Sequence, residues 1–267
     1  MLGDITLGQF YPTNSVVHKL DPRIKIILVI ALIAGLFVAQ SFWSYMACFL
    51  LITVAVVISK VPVGFIFKGL KPLLFIMIFT AVINMFFTDG RILFRLGFIR
   101  ITYEGLIASI TMVFRLFMLV TITSLLTLTT SPIMLTDGIE SLLKPLKVVK
   151  VPAHEIAMMM TIALRFIPTL MEETDKIIKA QSARGADFTT GSLMSRAKAM
   201  IPILIPLFIS SFRRADELAT AMECRCYRGG EGRTKLKVLK LSARDFVALS
   251  IVVSLIACII ILNIFVG

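Results

Sequence analysis

The chain has 267 residues, of which 58% are hydrophobic and only 16% charged, and its mean hydropathy is +0.93. These values exclude an ordinary soluble domain and describe a polytopic membrane protein. The formal charge of +12 does not point to nucleic acid: 18 of the 28 Lys and Arg lie between Ser131 and Arg244, and the others flank apolar segments or, for Arg115, sit inside one. That is the bias of cytoplasmic loops.

The N-terminal stretch to Arg23 is polar and carries no apolar h-region, so no cleavable signal peptide is expected. Asp21-Pro22-Arg23 then opens an apolar run from Ile24 to Ile58, broken only by Lys25 and by Gln40-Ser41. One straight helix of that length would measure about 52 Å against a hydrocarbon core of about 30 Å, so two short spans turning near Gln40 to Trp43 are predicted. Lys60 to Lys71 reads as an interfacial turn, and Pro72 to Phe87 as the next span. Thr88 to Gly105, with Arg91, Arg95 and Arg100, reads as an external loop despite its charge.

Leu106 to Thr129 is a further span, with Arg115 well inside it and no carboxylate one turn away to pair with it. Ser131 to Lys150 opens on a Ser-Pro helix start and carries an apolar stripe of Leu135, Ile139, Leu142, Leu143 and Leu146. It is too charged to span and reads as a surface helix. The last span runs from Phe246 to Val266. The fold class is therefore all-α: a multi-pass protein with about five transmembrane helices and long amphipathic cytoplasmic helices. Its parts are 1–130 (arm and spans), 131–240 (cytoplasmic helices) and 241–267 (final span), with the N-terminus cytoplasmic.

Between His154 and Arg233 lie two long helices of similar design. In the first, Ile156, Met160, Ala163, Ile167, Leu170 and Ile177 recur at helical spacing, and the helix closes on Ala183-Arg184-Gly185. In the second, Leu193, Ala197, Ile201, Leu204, Phe208, Ser211, Ala215, Leu218 and Met222 form the stripe, which leads into Cys224-Arg225-Cys226 and Gly229-Gly230. Pro168, Pro202 and Pro206 should bend these helices. An arginine at a helix C-terminus complements the dipole, and small neighbours leave the guanidinium open to close approach. Two such ends in matched positions suggest a pair of plugs for two similar sockets.

Little in the chain supports chemistry of its own. Cys48 and Cys258 lie in apolar segments, which implies no disulfide framework, and Cys224 and Cys226 lack the second pair that a zinc site needs. Gly229 to Lys235 is glycine-rich without phosphate-loop spacing. His154-Glu155 is the one His-acid neighbour and reads as a helix start. No catalytic residue, metal or bound cofactor is therefore expected. A secondary permease is the alternative, but no span carries the central Asp or Glu such a protein would need.

The stretches Ala163 to Phe188 and Glu217 to Gly230, with His18 to Ile26, resemble the transmembrane T component of energy-coupling factor (ECF) transporters, bacterial and archaeal ATP-driven importers of vitamins and trace metal ions. The resemblance covers essentially the whole chain. It implies a non-catalytic coupling subunit in a prokaryotic cell membrane. Two ABC-type ATPases, which use the ATP, would receive the two helix ends, and a separate membrane S component would capture the substrate. Ala183-Arg184-Gly185 matches the family's Ala-Arg-Gly triplet, whereas Cys224-Arg225-Cys226 keeps the arginine but replaces both flanking residues. Met158, Met159, Met160, Met194 and Met200 would offer an adaptable surface to S components.

Overall fold

The computed structural model describes residues 10–96, 99–149, 152–186, 188, 192–229 and 238–266. They are helical apart from one hairpin: α1 (Pro22–Val38), α2 (Phe42–Ser59), α3 (Val63–Leu70), α4 (Leu74–Phe87), β1 (Ile92–Leu96), β2 (Ile99–Thr102), α5 (Tyr103–Thr129), α6 (Pro132–Leu143), α7 (Ala153–Ala183), α8 (Leu193–Cys224) and α9 (Ala243–Val266). They fall into two compact units. One combines the described residues of Gly8–Gly138 with those of Leu239–Gly267; the other comprises Ile139–Val238, so the boundary lies inside α6.

In the first unit, α1 and α2 form the predicted hairpin. Its turn, Ala39-Gln40-Ser41, is held by Asn263 of α9: Oδ1 accepts from the Gln40 and Ser41 amides and the Ser44 hydroxyl, and Nδ2 donates to the Val38 carbonyl at 2.6 Å. One side chain thus caps the end of α1 and the start of α2. Below the turn, Leu36, Tyr45, Cys48, Met118, Ile122 and Ile259 bring α1, α2, α5 and α9 into one core.

At the other end of α1, the Asp21 carboxylate accepts from the Arg23 amide, while Asp245 accepts from the amides of Asp21 and Ser242. Two buried carboxylates therefore satisfy amides at the starts of α1 and α9, where the dipoles favour negative charge. Lys25, also buried, places all three of its donors, on the carbonyls of His18 and Thr129 and the hydroxyl of Thr130. This lysine fastens the arm, α1 and the end of α5 together.

The helices α4 and α5 approach closely because Gly105 and Ser109 are small. A Cβ on Gly105 would lie 2.9 Å from the Met85 carbonyl oxygen, and the Ser109 hydroxyl donates to the Ala81 carbonyl. Phe75, Ile78 and Phe79 of α4 stay exposed, as suits a lipid-facing helix.

Two expectations need correction. Lys60 to Lys71 is not a turn: α3 runs through a 3-10 turn into α4, giving one apolar stretch, Val63–Phe87. Pro72 is tolerated because it stands in the first turn of the 3-10 segment, where its missing amide has no partner to lose. The loop after Thr88 is an antiparallel hairpin, with pairs from Ile92↔Thr102 to Leu96↔Ile99; its alternation was masked by the arginines among the isoleucines.

Length and composition alone pick out a set of candidate spans that overlaps the expected one and differs from it at two helices. Among the described residues, five are long and apolar enough to cross a membrane: Phe42–Ser59, Val63–Phe87, Tyr103–Thr129, Met194–Cys224 and Ala243–Ile264. The set includes α8, read from the sequence as a cytoplasmic helix, because its middle is apolar all round; its mean hydropathy of 1.3 is the lowest of the five. Outside that set, α1, whose 17 residues measure about 26 Å, is one residue shorter than α2 and is also within the range of a short span.

Candidate functional site

The second unit is built on α7 and α8. Both helices stay unbroken through Pro168, Pro202 and Pro206. Their ends prove to be the same device. Arg184 takes the C-cap position of α7 with φ −86° and ψ 7°, and Arg225 that of α8 with φ −91° and ψ 12°.

After each arginine comes a left-handed residue, Gly185 at φ 85° and Cys226 at φ 56°. The amides of Gly185 and Ala186 donate to the carbonyls of Ser182 and Gln181; those of Cys226 and Tyr227 donate to Glu223 and Met222. Each set is a complete Schellman closure, which uses the carbonyls a helix end would otherwise leave open. The closure turns the backbone away and leaves the arginine at the extreme end of the helix. Ala183, Arg184, Gly185, Cys224, Arg225 and Cys226 are all exposed. Among the described residues neither arginine has an ion-pair partner.

The sequence similarity of the two ends therefore extends to geometry. Gly185 is the residue expected at a left-handed position, and a cysteine there costs about 1 kcal/mol more. Gly230, part of the sequence-based reading of this end, lies outside the described residues.

The two helices run in opposite directions. Glu173 meets Arg214 at 3.0 Å, and near the start of α7 the His154 Nε2 lies 3.4 Å from the Tyr227 hydroxyl, beyond the end of α8. Arg184 and Arg225 consequently stand on opposite sides of the Glu173–Arg214 contact, each eleven residues beyond it. At 1.5 Å per residue that puts the two guanidinium-bearing ends up to about 33 Å apart along the pair.

Glu173 is held ionised: the Ser210 hydroxyl and the Arg214 guanidinium both lower its pKa, the Ser210 bond being the larger cause. His154 does not pair with its neighbour Glu155, which is exposed at the start of α7. Its Nδ1 lies instead 3.2 Å from the buried Glu140 of α6. Neither Glu140 nor Tyr227 could be found from the sequence, because they sit 14 and 73 positions away from His154.

Of the methionines singled out, Met159, Met160, Met194 and Met200 are exposed and Met158 is half-buried. On α8 the less exposed side runs through Ile203, Leu207, Ser210, Arg214, Leu218 and Met222, whereas Ile201, Leu204 and Phe208 of the predicted stripe face outward. A segment apolar all round gives periodicity no means of selecting the packed face.

Residues 13–236 match the CbiQ family, described as cobalt transport protein. The chain is 58% identical to the energy-coupling factor transporter transmembrane protein EcfT of Ruminiclostridium cellulolyticum over 95% of both chains. It is 56% identical to that of Clostridium kluyveri over 98% of both, and 49% identical to that of Bacillus subtilis over 96% of both.

Proposed function

Because the chain belongs to the family of ECF transporter transmembrane proteins, we propose that it is the subunit that couples two ABC-type ATPases to a substrate-binding S component in vitamin or micronutrient uptake. The observation that carries this reading is the pair of matched arginine caps. Each is exposed and each terminates a Schellman-closed helix. A separation of up to about 33 Å along the pair suits two sockets on two proteins better than one pocket on one.

In this reading Arg184 and Arg225 dock against carboxylates of one ATPase each, with Ala183, Gly185, Cys224 and Cys226 permitting close approach. Losing a desolvated guanidinium of that kind costs about 2 to 5 kcal/mol, enough to release a subunit. In this reading the chain is a transport subunit that is not itself catalytic, and its partners hydrolyse the ATP. The exposed row Ile201, Leu204, Ile205 and Phe208, with Met159, Met160, Met194 and Met200, supplies the apolar surface for the S component. The basic bias of Ser131 to Arg244 supports a cytoplasmic side for the arginine ends and for the N-terminus.

The test is the double variant Arg184→Glu with Arg225→Glu, expressed with its ATPases and tagged. The variant should still insert in the membrane but recover no ATPase from solubilised membranes, and ATP-dependent uptake should be abolished. Wild-type recovery and uptake would overturn the reading.

A further inference from the structure

The α8 end is tied back: Tyr227, the residue whose amide completes the closure around Arg225, carries the hydroxyl 3.4 Å from Nε2 of His154, and Nδ1 of the same ring lies 3.2 Å from Oε1 of Glu140. The three groups form a continuous chain from the arginine cap, through the first turn of α7, to α6.

The chemistry of the ring makes this chain directional and stiff. When Nδ1 carries the proton and donates it to Glu140, Nε2 is left to accept from the tyrosine hydroxyl. Glu140 is buried, with 6% of its side chain exposed, so it serves as a fixed end. The helix that carries it, α6, is also the one inside which the boundary between the two compact units falls. On the α6 segment counted with the first unit, Gly138 approaches Pro22 so closely that an added Cβ would lie 3.1 Å from its side chain.

We propose that Tyr227, His154 and Glu140 form a strut that makes displacement of the Arg225 cap move α6. His154 and Tyr227 are positioning residues in this role. The inference rests on the reading that the Arg225 cap docks an ATPase. It goes beyond it in naming the route by which movement of the Arg225 end reaches α6.

The test is hydrogen–deuterium exchange on the purified complex of this chain with its ATPases, with and without ATP and orthovanadate. In the wild type, trapping should change exchange in the last turn of α8 and in α6 with the first turn of α7. Tyr227→Phe, which removes one hydroxyl, should keep the ATPases bound and the response at α8 but reduce the response at α6 by about fivefold or more, the low end of a typical coupling. His154→Ala should do the same, and His154→Gln, which can still both donate and accept, should restore it.

An α6 response of wild-type size in Tyr227→Phe, or no α6 response in the wild type, would overturn the strut. The underlying reading is tested separately in the same preparation: if Arg225→Glu retains its ATPases as well as the wild type does, the docking assignment itself fails.

Discussion

Glu173 and Arg214 meet at 3.0 Å, each eleven residues before the arginine that caps its own helix. The contact therefore divides the pair symmetrically, and whatever fixes it also fixes where the two arginine ends stand. With side chains 23% and 38% exposed, it is worth at most about 1 kcal/mol to stability. Its value is positional. Glu173→Arg should leave thermal stability nearly unchanged yet reduce ATPase recovery with the tagged chain, since two guanidiniums cannot share the crossing. Adding Arg214→Glu should restore recovery. A double variant no better than the single one would refute a positional role.

The two closures differ at one decisive residue. Gly185 and Cys226 hold equivalent left-handed positions, and only the first is free of steric cost. Cys226→Gly should therefore stabilise the end of α8 by about 1 kcal/mol, and Gly185→Ala should destabilise the end of α7 by a similar amount. Because nothing lies within 4 Å of a Cβ added at Gly185, the second effect would be conformational and not a clash. Amide exchange in the last turn of each helix reads both changes, in opposite directions.

How much of this was legible beforehand follows from the range of each signal. The hairpin of α1 and α2, the span containing Arg115 and the ends of α7 and α8 all rest on patterns within about twenty residues. Apolar runs, glycines and proline carried enough information there. Asn263 holding the turn at Gln40, Asp245 capping α1 from over two hundred residues away, and Tyr227 reaching His154 are long-range pairs. No single-sequence pattern encodes them. The β1–β2 hairpin failed for a different reason: basic residues in a short segment between spans favoured a loop reading, although isoleucine and phenylalanine favour strands.

His18 gives the first unit a defined pH response. Its Nε2 donates to the Tyr11 carbonyl at 2.9 Å, and its Nδ1 lies 2.7 Å from the Ser15 hydroxyl. Burial is the main cause that lowers its pKa below 6.5, opposed by the bond to Tyr11. The unfolded chain then binds the proton more readily than the folded one. The contribution of His18 is complete above about pH 6.5 and is lost as pH falls through the depressed folded value. Melting temperature in detergent should drop from pH 7 toward pH 5, and His18→Gln should flatten that slope. An equally steep slope in the variant would assign it to other groups.

Arg115 sits midway along α5, where a charge must find partners within the bundle. It donates to the Tyr45 hydroxyl and, at 3.5 Å, to the Ala39 carbonyl, and it lies over the rings of Phe37 and Tyr45. Among the described residues its Nε has no partner. The arrangement is asymmetric in consequence. Tyr45→Phe strands the guanidinium and should cost about 1 to 3 kcal/mol, read as a lower melting temperature. Arg115→Met removes the charge together with its needs, and a buried ion replaced by an apolar side chain of similar size is often neutral or stabilising. The pair Tyr45→Phe with Arg115→Met should therefore melt higher than Tyr45→Phe alone. If it does, and uptake by the double variant is intact, Arg115 is a structural brace; if stability returns while uptake is lost, the guanidinium has a part in transport that its bonds to Tyr45 and Ala39 do not account for.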